Sequence, residues 1–169
     1  SAKVRNDVLK TFEQDQIART IHTVRAAGIN DIANYIFGLP EDDYETMQAT
    51  LDLAIDLNCE FANFYCTMAY PGSSLYQRAL DEGWPLPDSW TAYSQHAIDS
   101  LPLPTRHLPA TEVLAFRDKA FQAYFDRPEY RAMLAERFDE GTVQHVQAMT
   151  ARKLIRRPSA PAACASRTL

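Results

Sequence analysis

The stretch Asn34–Glu41, NYIFGLPE, decides how the rest of the chain is interpreted. Its aromatic and branched first half is typical of a buried strand, and a glycine, a proline and an acidic residue follow directly. Glycine lets a ligand approach the backbone closely, and proline fixes the turn that follows. The stretch therefore predicts a strand, about Asp31 to Gly38, whose carboxyl end forms part of a binding site.

A second strand of the same kind is predicted at about Glu60 to Met68, EFANFYCTM, and it ends in the turn Tyr70–Ser74, YPGSS. The apolar spacing between the two strands predicts a helix from about Asp43 to Leu57. Strands joined in this way are parallel, and ligands of such folds lie beyond the carboxyl ends of the strands. Two parallel strands are not stable alone, so they belong to a larger sheet or are covered by the second half of the chain.

Strand parity divides these residues into two faces. One face is apolar and is expected to pack on helices; it carries Ala33, Tyr35 and Phe37 from the first strand and Ala62, Phe64, Cys66 and Met68 from the second. The other face carries Ile32, Asn34, Ile36 and Gly38 with Asn63, Tyr65 and Thr67. Two interpretations of this face stay open: the inside of a barrel that holds a ligand, or polar residues tolerated on an edge strand.

The second half of the chain has a different character. A proline-rich aromatic stretch, Trp84–Leu108, leads into three predicted helices at about Ala110–Phe125, Pro128–Phe138 and Thr142–Arg156. We expect the remaining residues to be disordered. The predicted organisation is a barrel part (1–83), a linker (84–109), a helical extension (110–156) and a disordered tail (157–169).

Composition narrows the function classes. The chain has 169 residues and a formal net charge of −5, so its charge gives no reason to expect a nucleic-acid partner. It contains no apolar run long enough to span a bilayer, and no membrane partner is expected. The expected location is cytoplasmic.

The cysteines, Cys59, Cys66 and Cys164, do not have the spacing of a disulfide framework or a metal site. Cys59 and Cys66 are an odd number of positions apart, so on one strand they would face opposite sides. We interpret them as small buried hydrophobic residues.

Two charged groups each allow two interpretations. Glu41, Asp42 and Asp43 could supply a general acid or base, but an acidic helix start explains them more simply. A basic group near the end of the chain could bind an anion or could offset the negative end of the last helix; it comprises Arg152, Lys153, Arg156 and Arg157.

The segment AAGINDIANYIFGLPEDDYETMQATLDLAIDLN, followed by FANFYCTMAYPGSSLY, resembles strands five and six of the radical S-adenosylmethionine (radical SAM) enzymes. The nearest resemblance is to members associated with a cobalamin-binding domain. The family's strand-five motif, G-x-I-x-G-x-x-E, is matched by Ile36, Gly38 and Glu41, whereas Asn34 replaces its first glycine. The turn after strand six is matched by Tyr70, Pro71 and Gly72.

The resemblance implies an α/β fold: a fragment of a partial (βα)6 TIM-like barrel, strands five and six, followed by a mostly helical extension. It implies that Ile36, Gly38, Glu41, Tyr70, Pro71 and Gly72 lie around the adenine of S-adenosylmethionine. The family cleaves S-adenosylmethionine reductively at a [4Fe–4S] cluster, and some members also use cobalamin.

The family's cluster motif, C-x-x-x-C-x-x-C, does not occur in this sequence. The chain therefore resembles the C-terminal portion of such an enzyme, and we expect no activity from it alone. The implied partner is an N-terminal half that supplies strands one to four, with self-association through the open sheet edge as the other option. The alternative function is a non-enzymatic helical interaction module, or a remnant of a split or truncated gene.

Overall fold

The computed structural model describes residues 14–157. Of the predicted disordered tail (157–169), residues 158–169, with Cys164 among them, lie outside the described residues. The described elements are α1 (Gln14–Ala26), β1 (Ile32–Phe37), α2 (Tyr44–Leu57), β2 (Phe61–Cys66), α3 (Ser74–Glu82), a 3-10 turn (Thr91–Tyr93), α4 (Ala110–Phe125), α5 (Pro128–Arg137) and α6 (Glu140–Thr150).

The two predicted strands and the helix between them are confirmed. β1 and β2 form a parallel pair in the order β1-β2, with Ile32 opposite Phe61 and Phe37 opposite Cys66. Within residues 14–157 the sheet has only these two strands and the protein is mostly helical, so the fold is α/β with a small open sheet. A place for these strands in a larger barrel stays a prediction.

Side-chain caps fix where the helices begin. Asp43 caps α2: it accepts a hydrogen bond from the backbone N–H of Thr46, whose hydroxyl accepts one from the Asp43 N–H. Ser73 caps α3 in the same way through the N–H of Tyr76. The acidic start of α2 is therefore a capping box, as the simpler of the two interpretations predicted.

The apolar face of the sheet packs on helices, as parity predicted. Phe37 and Phe64 stack with ring centroids 5.9 Å apart, and Phe64 meets Tyr124 of α4 edge to face at 5.4 Å. α2 and α4 cover this face, and α5 and α6 extend the same core through Tyr130, Leu134, Val143 and Val146. The division of the chain into barrel part, linker and extension stays a prediction, but one apolar core joins the strands to the C-terminal helices.

Polar contacts close the amino end of the strands. Glu60 is fully buried; its carboxylate lies 3.0 Å from Arg137 and 3.7 Å from Arg25, and it accepts a hydrogen bond from the backbone N–H of Asp31. Arg25 also bonds the Asp31 carboxylate. The Tyr130 hydroxyl donates a hydrogen bond to the backbone carbonyl of Glu60 at 2.9 Å. Ion pairs and tyrosine hydrogen bonds thus form one network around Glu60.

The last helix is shorter than predicted, because α6 ends at Thr150 rather than at Arg156. Tertiary contacts outweigh helix propensity here. Arg156 donates two hydrogen bonds to Asp118 of α4, at 2.9 and 2.8 Å, and others to the carbonyls of Gln95 and Ala97. The interpretation that Arg156 offsets the negative end of the last helix is therefore wrong, since its partners are on α4 and on the 95–97 loop.

Candidate functional site

A pocket lies at the carboxyl ends of the two strands, where the sequence predicted a site. Its volume is about 370 Å³, and Ile36 and Leu39 after β1 and Tyr65 of β2 form part of its wall. The remaining wall comes from the end of β2 and the residues after it, from the start of α3 and from the 95–97 loop; it comprises Cys66, Thr67, Met68, Tyr70, Leu75 and Gln95. No charged side chain is among these lining residues, so the pocket suits a neutral and largely apolar group.

Two of the six predicted site residues, Ile36 and Tyr70, meet in this pocket. Both are about half exposed, at 48% and 52%, so a ligand could reach them. The ring of Tyr70 stacks on Tyr93 with centroids 5.8 Å apart, and Trp90 lies 5.9 Å beyond Tyr93. The pocket thus has an aromatic rim on which a flat ring can stack.

Gly38 has a packing role that its motif did not indicate. Its φ is +79°, and a Cβ at this position would collide with Cγ1 of Val113 in α4. The glycine is therefore needed for the close approach of a helix to the end of β1. It is buried and does not line the pocket.

Glu41 also lies outside the pocket. Its carboxylate is 2.7 Å from Nη1 of Arg106, and the backbone N–H of Arg106 donates to the carbonyl of Pro40. Glu41 therefore holds the proline-rich segment against the turn after β1.

Asp42 is 3% exposed and accepts hydrogen bonds from the N–H of Leu39 at 2.9 Å and from the Thr46 hydroxyl at 2.7 Å. Burial raises the pKa of Asp42 despite these hydrogen bonds, and its carboxylate holds the turn.

Pro71 and Gly72 are exposed and lie outside the pocket wall. They form the turn between β2 and α3, in which the N–H of Ser73 donates to the carbonyl of Tyr70 at 3.0 Å. Gly72 has a φ of +86°, a conformation that this turn requires and that glycine adopts without strain. The turn places Tyr70 at the pocket rim.

Gln95 is a pocket residue that sequence reasoning missed. Its side chain forms two hydrogen bonds with the backbone of Cys66: Oε1 accepts from the N–H at 2.8 Å and Nε2 donates to the carbonyl at 3.0 Å. Arg117 of α4 donates Nε to the carbonyl of Phe64 at 2.8 Å on the same side of β2. Side chains therefore occupy the outer edge of β2, where a further strand would pair.

The outer edge of β1 is open. The N–H groups of Phe61 and Thr67 donate to the carbonyls of Asp31 and Phe37, so the odd-numbered residues of β1 face β2. The backbone of Ile32, Asn34 and Ile36 faces away, and nothing within residues 14–157 forms a hydrogen bond with it from that side.

The second sheet face is open as well. Ile32 is 62% exposed and Phe61 43%, and Asn63 Nδ2 donates to Asn34 Oδ1 at 3.0 Å across the two strands. A group of exposed apolar residues normally marks a surface to which another segment of protein or a ligand binds. The face is thus suited to a partner layer, although the two interpretations given by parity both remain.

The cysteines are buried thiols in the part of the chain that the structure describes. Cys59 and Cys66 are unpaired, and burial is the main cause that raises the pKa of each to about 12. No group of three or more His, Cys, Asp or Glu side chains within residues 14–157 is arranged to hold a metal ion. Among the same residues, no helix is both long enough and apolar enough to cross a membrane.

Comparison with known proteins gives one distant relative. No family model matches the chain. The chain is similar to an uncharacterized methyltransferase of Pyrococcus horikoshii, with 23% identity over 129 residues. The similar region covers 76% of this chain and 28% of the relative, so this chain spans little more than a quarter of that protein's length.

Proposed function

We propose that this chain is the C-terminal part of a methyltransferase of the radical SAM type, with β1 and β2 as the last two strands of its partial barrel. The observation that carries the proposal is the asymmetry of the sheet. Its β2 edge is occupied by Gln95 and Arg117, whereas its β1 edge is unpaired. The resemblance of NYIFGLPE and AYPGSSLY to the family's strand ends supports the same assignment, and so does the name of the distant relative.

The pocket at the strand ends would hold the adenine of S-adenosylmethionine. Ile36 supplies an apolar wall and Tyr70 supplies an aromatic ring for the base. The lining carries no charge, so the amino and carboxylate groups of the ligand would be bound by residues outside this chain.

The described residues do not fit an iron–sulfur cluster. Cys59 and Cys66 are buried, with thiol pKa values of about 12, and they have no third cysteine or histidine ligand beside them within residues 14–157. Nothing in the described residues indicates a cobalamin site either. This chain's contribution is therefore to bind and orient part of the substrate and to shield it from water, while the remainder of the protein supplies the cluster.

The strand partner at the β1 edge would come from the N-terminal portion of the same protein or from a matching subunit. Asn34→Pro tests this, because proline removes an N–H that faces the open edge and leaves the pairing with β2 intact. Asn34→Ala is the matched control, since it loses the same bond to Asn63 but keeps the N–H. We expect light scattering to detect self-association of the lone chain and of the alanine variant, and a monomer for the proline variant. Equal masses for all three would contradict the assignment of this edge.

Calorimetry tests the ligand. We expect no measurable binding of S-adenosylmethionine to the lone chain, because loss of two charge-assisted contacts at about 1.5–3 kcal/mol each turns a micromolar site into one of roughly millimolar affinity. We expect binding when the chain is co-expressed with an N-terminal segment that carries C-x-x-x-C-x-x-C. Micromolar binding by the lone chain would contradict the partial-site proposal.

A matched pair of variants locates the ligand on the sheet. Ile36 and Ile32 are exposed residues of the same type on the same face of β1, but only Ile36 lines the pocket. In the co-expressed complex, Ile36→Trp should abolish binding because it fills the pocket, whereas Ile32→Trp should leave binding within about twofold. If the complex forms but never binds S-adenosylmethionine, the non-enzymatic interaction module becomes the better assignment.

A further inference from the structure

A second and larger cavity lies away from the strand ends. It is a groove of about 820 Å³ between α4, α6 and the stretch that follows α6. Pockets for small molecules commonly have volumes of about 300–1,000 Å³, so the groove is large enough for an organic ligand. Nothing in the proposed function uses it.

The charge of the groove is unusual for this protein. Four cationic side chains and one carboxylate line it, although the whole chain has a formal net charge of −5. Lys119, Arg152 and Lys153 form no ion pair among the described residues. One side of the groove therefore carries concentrated and uncompensated positive charge.

The single carboxylate, Asp118, does not cancel this charge. It is already bound by two arginines, with Arg117 Nη1 at 2.9 Å and Arg156 Nη2 at 2.8 Å. Two guanidinium groups on one carboxylate leave an excess of one positive charge at the base of the groove. Burial and these arginines also lower the pKa of His96, which is consistent with a positive potential there.

The rest of the wall combines an apolar part with the polar side chains of His96, Gln122 and His145. Phe121, Met149 and Leu154 line the groove, and the guanidinium of Arg117 lies 5.7 Å from the Phe121 ring centroid. A ligand that matches both parts needs an anionic group for the lysine and arginine side and an apolar body for the aromatic side. Inorganic phosphate alone would leave the apolar part of the groove exposed to water.

We propose that the groove between α4 and α6 binds an organic anion, a carboxylate or phosphate ester attached to an aromatic or aliphatic body. The anion lies against Lys119, Arg152 and Lys153, and the body packs on Phe121 and Met149. The site is separate from the strand-end pocket, so it can be tested without S-adenosylmethionine.

The probe is 1-anilinonaphthalene-8-sulfonate, an aromatic anion whose fluorescence rises on binding, with N-phenyl-1-naphthylamine as its uncharged counterpart. Both are titrated into the 169-residue chain. The charge variant is Lys119→Gln/Arg152→Gln, and Arg19→Gln on the exposed face of α1 controls for loss of a cation elsewhere. Ala148→Trp fills the groove from an exposed position on α6. Cooperative urea unfolding establishes that each variant is folded.

The expected result is that the sulfonate binds more tightly than the uncharged probe and that the double charge variant weakens it by about tenfold. The same variant should leave the uncharged probe within about twofold, and Arg19→Gln should leave both probes unchanged. Ala148→Trp should abolish binding of the sulfonate. Equal affinity for the two probes, or sulfonate binding that survives Ala148→Trp, would overturn the proposal.

Competition identifies the anionic group. Phenyl phosphate and phenylacetate are added separately to the bound sulfonate probe. Displacement by phenyl phosphate alone assigns the site to phosphate esters, and displacement by phenylacetate as well assigns it to aromatic anions in general. Displacement by neither would overturn the proposal.

Discussion

At the amino end of the two strands a fully buried carboxylate, Glu60, contacts two arginines, whereas no charged side chain lines the pocket at their carboxyl end. The amino end is closed by ion pairs and by tyrosine hydroxyls that donate to backbone carbonyls. The carboxyl end is held by turns and by the side chain of Gln95, and its wall is partly exposed. The amino end thus stabilises the strands. The carboxyl end can present a binding surface.

The largest expected effect comes from breaking the amino end. Glu60→Gln keeps the shape of the side chain but removes the charge that faces Arg25 and Arg137, and we expect a loss of about 3 kcal/mol in the free energy of unfolding. Glu136→Gln is the control, because Glu136 is exposed on α5 beside Arg137. Urea unfolding of both variants measures the difference. A loss of the same size for Glu136→Gln would mean that general charge, rather than the buried network, is responsible.

The next largest expected effect is on the stability of glycine variants, and it separates a steric clash at Gly38 from backbone strain alone at Gly28. Gly38 and Gly28 have nearly the same φ, +79° and +75°, but only a Cβ at Gly38 meets another side chain. We expect Gly28→Ala to cost about 1 kcal/mol and Gly38→Ala about 1–3 kcal/mol more, measured by urea unfolding.

Val113→Ala in the Gly38→Ala background should recover part of that additional loss, because it removes the atoms that collide. A double-mutant cycle measures this coupling. Purely additive effects would show that Val113 is not what makes a glycine necessary at this position.

A smaller effect depends on pH and concerns the ion pair between Asp118 and Arg156, which also bonds the 95–97 loop. Burial raises the pKa of Asp118, but hydrogen bonds from Arg156 and Arg117 outweigh it and hold the pKa below its ordinary value. A lowered pKa means that the stabilisation is present above about pH 4 and is lost as the pH falls through the folded-state pKa. Asp118→Asn should therefore cost about 1–2 kcal/mol at pH 6 and progressively less toward pH 3.

The exposed residue Asp88 provides the control for that pH series. Asp88→Asn should change the unfolding free energy little at any pH, and urea midpoints at several pH values compare the two variants. A cost of Asp118→Asn that does not change between pH 6 and pH 3 would contradict the ion-pair explanation.

The smallest effect compares the two cysteines of the described chain. Burial raises both thiol pKa values to about 12, so both react slowly at pH 8, but Cys66 borders the pocket and Cys59 lies in the amino-end network. In a Cys164→Ser background, we expect N-ethylmaleimide to label Cys66 before Cys59, because the carboxyl end can open locally. Mass spectrometry of the labelled peptides gives the order, and simultaneous labelling would mean that only global unfolding exposes either thiol.

What the sequence predicted correctly is local in the chain. The two strands, the start of the helix between them at about Asp43 and the apolar sheet face follow from spacing and capping rules that act over a few residues. The carboxyl ends of parallel strands lie at the same edge, and Ile36 and Tyr70 accordingly line one pocket. That this pocket is the predicted binding site stays a prediction.

What the sequence did not predict depends on contacts between distant segments. Gln95 bonds Cys66 across 29 positions and Arg156 bonds Asp118 across 38, and neither pairing has a spacing or composition signal. The packing of Val113 against Gly38 and the ion pair of Arg106 with Glu41 also have no sequence signal. In the structure, Gly38 therefore serves helix packing and Glu41 holds a loop. The predicted end of α6 was wrong for the same reason: Arg156 bonds Asp118 of α4, and the helix ends at Thr150.

The two hydrogen bonds between the Gln95 side chain and the backbone of Cys66 also affect how the isolated chain can aggregate. A sheet with two free edges can add copies at both and grow into a fibre, but here a side-chain amide and Arg117 already occupy one edge. Two copies that pair through β1 satisfy each other's edge about a twofold axis and leave no site for a third. We therefore expect high concentrations of the isolated chain to yield a closed dimer rather than open-ended polymers.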